Sequence, residues 1–489
     1  MEMEIEVENF GPVSSGRVEL KPLTVFIGPN NSGKSYTAML IRSIFEVLPH
    51  SLLELYPPPF RSHFLLDAIR GEVSESLKRS IKDLIENLKE KEEFEVPKQL
   101  VEHIISEIFR EVYEKRLSKE IIRSFASPLN ELIKMGKNLS TLKIKFNSHN
   151  INLFLIGDKL ELREHPRLDL RIWIKKVEEP TIGAKMKKEN EFIIEMGKIP
   201  QIPPADIANI LAGNILEICA SHVYSMVESL LVPCYYLPAA RSGILQGHKA
   251  LVAGIMRKIP YVGIERLEVP PTFPGVVSDF LSSIISLPEE KGPFYQLARE
   301  LEEELIRGEI VVGTLEERYS HPEIKYDFEG KEIPLHRASS TVSELAPLFL
   351  YLKYYIRPES VLVIEEPEAH LHPTNQRVLA KLLVRLVRKG VYVVITTHSE
   401  YLLEQLSNFI LLSRIEPGER VKQGYKEDDF LKPKETAVYV FRYDEESSGY
   451  KIEEVKVTEE EGIPQDEFLR VHRALYEEEV SIYRKLGEE

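Results

Sequence analysis

The sequence predicts an α/β fold with a mostly parallel sheet at its core and a large inserted subdomain that is first helical and then β. Two regions predict the sheet. An apolar strand, Leu23–Ile27, leads through a glycine-containing loop into a helix. Much later, strand Ser360–Glu365, helix Pro373–Gly390 and strand Val391–Thr396 follow one another, as in parallel strands joined by a crossover helix. Strands of one sheet thus come from both ends of the chain, so the middle is an insertion.

Proline clusters and changes of periodicity divide the chain into four segments. The principal domain consists of residues 1–50 and 234–460, and the insertion between them consists of residues 51–233. The fourth segment, residues 461–489, is a terminal amphipathic helix that docks on the principal domain. In the insertion, helical spacing over 62–136 changes to strand-like alternation over 141–198. Gly157-Asp158 separates two such strands and predicts a hairpin turn.

Composition excludes several classes of protein. With 489 residues, 43% of them apolar, the chain is long enough for two or more domains and too apolar for general disorder. Its two cysteines, Cys219 and Cys234, form no CxxC pair, which argues against a disulfide scaffold or a zinc module. There is no uninterrupted apolar run of about 18 residues and no signal peptide, so we expect a cytoplasmic protein without a membrane span. The net charge of −15 disfavours nucleic-acid binding by the whole surface.

A loop of the phosphate-binding type ends the first apolar strand. It matches the pattern G-x-x-x-x-G-K-S/T, and we predict nucleotide contacts from Gly28, Pro29, Asn30, Asn31, Ser32, Gly33, Lys34, Ser35 and Tyr36. Glycines let backbone N–H groups wrap phosphates, and the helix N-terminus behind the loop favours negative charge. Lys34 reaches the terminal phosphates and Ser35 offers its hydroxyl to Mg²⁺, so ATP and Mg²⁺ are the predicted cofactors. A chance match in a structural turn is the alternative.

Polar side chains end two of the later apolar strands. A buried parallel strand delivers its last residues to the crevice at the carboxyl edge of the sheet. We assign Glu365 to the metal ion and Glu366 to the attacking water, the alternative being an ordinary acidic turn. His398 follows the strand that ends at Thr397, and it is predicted to hydrogen-bond the γ-phosphate or the water unless its role is structural.

At these residues the sequence resembles the P-loop ATPases of the ABC/SMC/RecF class, especially the ATPase module of OLD (overcoming lysogenization defect) proteins. The resembling segments are Val7–Ser35, Arg337–Ser399 and Tyr235–Gly243. The resemblance implies an ABC-type ATPase head that forms a homodimer around two ATP molecules. Each active site then receives a signature segment from the other subunit.

The resemblance also indicates two further elements of the site. The signature corresponds to Ala338–Leu345, where Thr341 stands at the position of the usual glycine and Ser340 is predicted to contact nucleotide. A plain helix cap is the alternative for this segment. His370 and His372 fall in the segment where the family has its D-loop, a dimer contact, and their spacing suits no closed zinc site.

Arg241 lies in a segment that recurs among these stand-alone ATPases. It is predicted to reach the nucleotide edge or to link the insertion to the active site, and a structural surface arginine is the alternative.

The remaining charged clusters bear on two further functions, nuclease activity and DNA binding. OLD-type nucleases carry a Toprim domain after the ATPase, whereas the acids after His398, at 427–429 and 459–461, lie in polar runs and predict solvated surface. The alternating stretch with Arg171 and Trp173 offers a possible DNA-binding face, with a mixed-charge surface sheet as the alternative.

Together these features predict an ATP-hydrolysing switch that acts in DNA repair or antiviral defence, with possible DNA and a separate nuclease or effector as partners. Two rival hypotheses stay open. The first is a nucleotide-gated scaffold with little turnover. The second is the ATPase of a membrane transporter, against which the large split insertion argues.

Overall fold

The computed structural model describes residues 2–47, 84, 91–179, 181–188, 190–197, 204–247, 273–313 and 323–486. Parts of the predicted helical region 62–136, including most of residues 80–90, lie outside this described set. Within it, strands and helices alternate over residues 361–411, as expected of an α/β protein.

The described strands are β1 (Met3–Phe10), β2 (Val13–Leu20), β3 (Leu23–Ile27), β4 (Glu93–Glu95), β5 (Leu139–Phe146), β6 (His149–Ile156), β7 (Lys159–Glu164), β8 (Arg171–Val177), β9 (Ile182–Lys188), β10 (Glu191–Gly197), β11 (Cys234–Leu237), β12 (Glu309–Val312), β13 (Ile324–Phe328), β14 (Lys331–Pro334), β15 (Val361–Glu365), β16 (Tyr392–Thr397), β17 (Thr436–Asp444) and β18 (Gly449–Val455).

The described α-helices are α1 (Lys34–Val47), α2 (Lys98–Phe109), α3 (Leu117–Phe125), α4 (Pro204–Val227), α5 (Gly275–Ile285), α6 (Tyr295–Ile306), α7 (Ser340–Tyr354), α8 (Pro373–Arg388), α9 (Glu400–Leu411), α10 (Pro417–Lys422) and α11 (Asp466–Leu486). A π-helical segment, Arg110–Arg116, lies between α2 and α3.

Contacts divide the chain into two compact units. The insertion unit comprises residues 43–121 and 138–232, and the principal unit comprises 2–42, 122–137 and 233–489. The four segments inferred from the sequence stay a prediction. The division by contacts differs from them in assigning residues 122–137 to the principal unit and residues 43–50 to the insertion unit.

The principal unit contains a sheet whose strand order is β11-β15-β16-β3-β17-β18-β2-β1. The first five strands are parallel, whereas β17–β18 and β2–β1 are antiparallel pairs. Strands from the start and the end of the chain are therefore neighbours, and the predicted α/β class with a parallel core is confirmed. Every residue of β3 and of β15 is buried, as expected for parallel strands covered on both faces.

Helix α7 carries much of the packing on this sheet. All its residues from Val342 to Tyr354 are buried, and they belong to the same core as β15, α8 and α9. A helix that is apolar around its whole circumference has to be enclosed. Each fully buried Leu or Phe contributes about 1.5–3 kcal/mol relative to exposure, so the position of α7 is strongly fixed.

The insertion unit has its own β structure. The sheet β4-β8-β10-β9 has parallel β8 and β10 at its centre, with Ile172, Ile174 and Ile194 fully buried. A second set, β5–β6–β7, is antiparallel, and β6 and β7 are joined through Gly157-Asp158, which confirms the predicted hairpin turn. The β character inferred from the alternation over 141–198 is present.

Two helices bear on the sequence expectations. An 18-residue window of α4, Ile210–Val227, has a mean hydropathy of 1.3 and is long and apolar enough to cross a membrane, although core helices pass the same test. One such helix is weak evidence, so the expectation of no membrane span stays a prediction. Helix α11 forms as predicted, but its expected docking is limited because Leu475, Tyr476 and Ile482 are exposed.

Candidate active site

Three of the predicted functional segments meet at one edge of the principal sheet. In the register of the parallel strands, Glu365 lies opposite Thr396, and Thr397 lies opposite Ile27. The strands β15, β16 and β3 therefore end at the same level. Their next residues, Glu366, His398 and Gly28, begin the loops of a common crevice, which is where open α/β sheets place their ligands.

The phosphate loop needs both of its glycines. Gly28 has φ +140° and Gly33 has φ +103°, which are conformations that other residues adopt only with strain. A Cβ atom on Gly28 would lie 2.8 Å from the carbonyl oxygen of Phe441, and one on Gly33 would lie 2.6 Å from Val13 Cγ2. The loop is thus pressed against the neighbouring strands, which fixes the direction of its backbone N–H groups.

Ser32 supports the assignment of this loop to an anion. Its hydroxyl oxygen is buried and has no hydrogen-bond partner in the described part of the chain. Buried polar groups are nearly always paired, so an orphan hydroxyl beside a helix N-terminus is suited to a ligand oxygen. The residues present therefore fit a phosphate group.

Lys34 is buried at the start of α1. Its ammonium group donates to the carbonyl oxygens of Gly28 at 2.9 Å and Pro29 at 2.7 Å. Burial lowers the pKa of Lys34 to about 8, and the carboxylates of Glu366, Glu368 and Glu365 act in the opposite direction. A nucleotide phosphate would give this ammonium group a stronger partner than the two carbonyls.

The two carboxylates at the end of β15 have different environments. Glu365 is 8% exposed and accepts the backbone N–H of Ala239 at 3.2 Å. The side chain of Glu366 is 44% exposed, and its Oε1 lies 3.8 Å from His398 Nε2. Glu366 also has φ +42°, held by hydrogen bonds from its N–H to Thr396. The inner carboxylate suits a metal role and the outer one a role towards solvent water, and both assignments stay predictions.

A magnesium ion would find oxygen ligands here. Ser35 is exposed at the loop, and Glu365 offers carboxylate oxygens, a donor set that Mg²⁺ accepts. Among the described residues, no group of three or more His, Cys, Asp or Glu is placed to hold a metal by itself.

His398 completes the crevice. Burial, followed by the positive charge of Lys34, lowers the pKa of this imidazole, while Glu366 opposes the shift. The ring is therefore neutral at pH 7 and can offer one donor and one acceptor nitrogen. Such a ring can hydrogen-bond a phosphate oxygen or a water molecule.

Glu368 is a site residue that the sequence reasoning missed. Its Oε1 accepts the Thr397 hydroxyl at 2.6 Å and the His398 N–H at 2.9 Å, and its Oε2 is buried without a hydrogen-bond partner in the described residues. Burial raises the pKa of Glu368. The signal in the sequence was that Glu368 lies two residues after Glu366. Only the pairing of β15 with β16 shows that Glu368 holds the loop that begins at His398.

The signature-like segment begins α7. Ser339 is the N-cap and accepts the Val342 N–H at 3.3 Å, so the helix-cap alternative is correct for this serine. Ser340 is exposed at the first helical position, and Thr341 donates its hydroxyl to the His370 carbonyl at 3.3 Å. Capping by Ser339 leaves Ser340 open to a ligand, so its predicted nucleotide contact stays a prediction.

The D-loop-like histidines have structural features of their own. His372 caps α8 through a hydrogen bond from the Thr374 N–H at 3.3 Å, and His370 has φ +60°. His372 is therefore accounted for by the start of a helix.

Arg241 is not a surface residue, so that alternative is wrong. It is 2% exposed, and its guanidinium donates to the carbonyl oxygens of Glu365 at 2.6 Å and Glu366 at 3.2 Å. It also forms an ion pair with Glu344 at 2.8 Å. Its predicted contact with nucleotide stays a prediction, and its described contacts are all with protein.

The candidate DNA face of the insertion unit is largely neutralised. Arg171 pairs with Glu95 at 2.7 Å, and Lys187 lies 3.4 Å from Glu93. Both cations also lie over the ring of Trp173, at 5.4 and 5.0 Å from its centroid. This arrangement favours the mixed-charge surface sheet over a phosphate-binding face.

The acidic clusters at 427–429 and 459–461 form no metal site among the described residues. One of their residues, Asp429, is nevertheless buried and not part of the solvated surface. Asp429 is fully buried and pairs with Arg385 at 2.9 Å, so the expectation of solvent exposure was wrong at this position. A buried carboxylate needs a charged partner. The polar run around Asp429 did not indicate that Arg385 of α8 would be that partner.

Comparison with known proteins gives a coarse assignment. A family model described as an AAA ATPase domain matches residues 1–91 and 286–403, which is less than half of the chain. These ranges contain the phosphate loop, both strand-end glutamates and His398. The assignment of a P-loop ATPase domain to the matched ranges therefore agrees with the geometry. A comparison with curated proteins gave no match.

Solved structures of Smc head domains resemble the chain weakly. One bound to the C-winged helix domain of ScpA has a TM-score of 0.40 at 11% identity, covering 94% of this chain and 98% of that one. One with an extended coiled coil, bound to the C-terminal domain of ScpA derived from Pyrococcus furiosus, has a TM-score of 0.36 at 9% identity, covering 97% of this chain and 99% of that one. The SMC head domain from Thermotoga maritima has a TM-score of 0.32 at 11% identity, covering 94% of this chain and 100% of that one. Scores this low add nothing to the argument from the site.

The lowered pKa of Lys34 predicts that ATP affinity weakens in alkaline solution. Between pH 7.5 and 9 the phosphates stay ionised, because their last pKa is about 6. The fraction of Lys34 in the ammonium form instead falls over this interval, because its pKa is about 8. We expect the dissociation constant of ATP to rise roughly fivefold to tenfold over this interval, measured by isothermal titration calorimetry. An affinity that is equal at both pH values contradicts this account of Lys34.

Removal of the Glu368 acceptor is expected to disorder the loop that carries His398. Glu368→Leu leaves the Thr397 hydroxyl and the His398 N–H unpaired, which costs about 1–3 kcal/mol of unfolding free energy. Glu368→Gln retains an acceptor oxygen and should lose less. Denaturant unfolding compares the two, with Thr397→Ser as the control that keeps the hydroxyl donating to Glu368 and accepting the Ser399 N–H. Equal stability of Glu368→Leu and wild type refutes this role.

Proposed function

We propose that this protein is an ATP-hydrolysing switch of the ABC/SMC-like class. The observation that carries the proposal is the convergence of Lys34, Glu366 and His398 at one edge of the parallel strands, since these residues follow β3, β15 and β16. The match of the surrounding ranges to an AAA ATPase domain supports it. The OLD-like character rests on the resemblance in sequence alone.

The chemistry proposed is in-line attack of water on the γ-phosphate. The phosphate-loop N–H groups and Lys34 bind and orient the phosphates, and Glu366 accepts a proton from the water. Neutral His398, 3.8 Å from Glu366, hydrogen-bonds the γ-phosphate or the water. When bound, Mg²⁺ would neutralise phosphate charge, and Ser35 with Glu365 would hold it.

We further propose that ATP brings two copies of the chain together. The exposed Ser340 at the N-terminus of α7 would then face the γ-phosphate bound by the other copy, where helix N–H groups favour negative charge. Hydrolysis would release the dimer and change the state of the insertion unit. A role in DNA repair or antiviral defence, with a separate nuclease or effector and a cytoplasmic location, stays part of this proposal.

A scaffold with little turnover is the rival that shares the same site. Only the rate distinguishes it, because ATP would bind to the same loop and hold the same dimer. The transporter ATPase has weaker support. It requires a membrane partner. Helix α4, the one helix of the described residues that is long and apolar enough to cross a membrane, is weak evidence of membrane contact by length and composition.

The proposal is tested with Glu366→Gln, by measuring ATP hydrolysis and solution mass with and without DNA. A general base contributes roughly 10²- to 10⁴-fold, so we expect this loss of kcat with ATP binding retained and an ATP-dependent dimer that persists. Glu359→Gln is the matched control, because Glu359 is an exposed acid just before the opposite end of β15.

Three outcomes contradict parts of the proposal. Wild-type protein that binds ATP but turns over no faster than Glu366→Gln is a scaffold. ATP binding without a change of mass rules out the dimer. If DNA changes neither the rate of ATP hydrolysis nor the solution mass, the protein does not act directly on DNA. The proposed switch then acts on a protein partner.

A further inference from the structure

Arg241 occupies an unusual place for a charged side chain. It is among the largest fully buried side chains of the described chain, and burial lowers its pKa from the ordinary value. Taking a guanidinium out of water costs several kcal/mol unless each donor is satisfied. Here one face of the group is occupied by backbone carbonyl oxygens and the other by a carboxylate.

The carbonyl contacts lie directly under the proposed catalytic carboxylate. Nη1 donates to the carbonyl oxygens of Glu365 at 2.6 Å and of Pro238 at 3.2 Å, and Nη2 donates to that of Glu366 at 3.2 Å. Glu366 has φ +42°, a conformation that a glutamate adopts only when its surroundings impose it. Arg241 is one of the groups that hold this peptide in place.

The opposite contact joins Arg241 to α7. Nη2 lies 2.8 Å from Glu344 Oε1, and Nε donates to the Glu344 carbonyl at 3.4 Å. Glu344 is 1% exposed and lies one turn into the helix whose first residue is Ser340. The start of this helix has a second link to the same loop, because Thr341 donates to the carbonyl of His370.

We propose that Arg241 is a positioning residue: its buried pair with Glu344 ties the start of α7 to the peptide of Glu366, and so sets the direction of that carboxylate towards the attacking water. This inference rests on the proposed ATPase function. It also connects the two parts of the proposed dimer mechanism, because Arg241 joins the peptide of Glu366 to the helix that begins with Ser340.

The planar guanidinium is essential to this role. Its fork of N–H donors reaches two successive carbonyl oxygens while it keeps the ion pair, whereas a lysine ammonium is a single point of charge on a flexible stem. Arg241→Lys should therefore preserve the charge balance with Glu344 but lose the hold on Glu365 and Glu366.

The test removes both charges together. Breaking a buried pair by one substitution costs about 3–5 kcal/mol, whereas removal of both partners is often tolerated. The variant is Arg241→Met/Glu344→Gln, and the control is Lys353→Met/Glu302→Gln. The control pair is equally buried, has the same 2.8 Å separation and also involves α7, but it lies at the far end of that helix.

The measurements are kcat and KM for ATP together with thermal unfolding by circular dichroism. We expect the Arg241/Glu344 variant to lose roughly 10- to 100-fold in kcat with KM within about threefold of wild type, because the substitutions leave the phosphate loop unaltered but release the peptide that carries the water-activating group. The control variant should retain kcat within about threefold even if its unfolding temperature falls equally.

Several results overturn the inference. Wild-type kcat in the folded Arg241/Glu344 variant refutes it while the ATPase function stands. Equal losses of kcat in both double variants show that any disturbance of α7 suffices and also refute it. If the Arg241/Glu344 variant fails to fold, Arg241→Lys decides by the same readout. A wild-type protein without turnover overturns both the function and the inference.

Discussion

The parallel alignment of β15, β16 and β3 is the constraint on which the site depends. These strands come from distant parts of the sequence, yet their register brings Glu365, Thr396 and Phe26 to the same level of the sheet. Every residue of β3 and β15 is buried, so a slip along either strand would disrupt the close packing against both of its covered faces. The packing of the core therefore fixes the geometry of the polar loops at its edge.

Burial gives these loops their electrostatic character. Lys34, Glu365, Glu368 and Arg241 are each less than a tenth exposed, and their interactions act through a medium of lower dielectric than water. Each group depends on specific partners: two loop carbonyls for Lys34, the Thr397 hydroxyl for Glu368 and the Glu344 carboxylate for Arg241. Such an arrangement responds to a bound phosphate, because a new negative charge changes the favoured partner of Lys34.

Local patterns in the sequence predicted the elements that bind phosphate. The glycine spacing from Gly28 to Gly33, the apolar strand before it and the acidic end of β15 each follow from short-range rules, and the strand pairing agrees with them. The roles of Glu368 and Arg241 could not be predicted in this way. Their partners are separated from them by about 30 and 100 residues, and contacts of that range depend on tertiary packing.

The surface was harder to read than the core. The basic residues around Trp173 suggested a DNA-binding face, but cross-strand neighbours such as Glu95 pair with them, and such pairs follow from register rather than from composition. The prediction that Asp429 is exposed was wrong for a similar reason, since its partner Arg385 lies on a distant helix. Helix α11 has the expected periodicity, but periodicity alone does not determine what its apolar side chains contact.

The most direct test is an experimental structure of the Glu366→Gln protein crystallised with ATP and Mg²⁺. The account predicts that the Lys34 ammonium leaves the carbonyl oxygens of Gly28 and Pro29 and binds the terminal phosphates. It also predicts that Ser35 and Glu365 hold the metal ion, directly or through water. A structure in which Lys34 keeps both carbonyl contacts while the nucleotide binds elsewhere would contradict the assignment of this edge as an ATPase site.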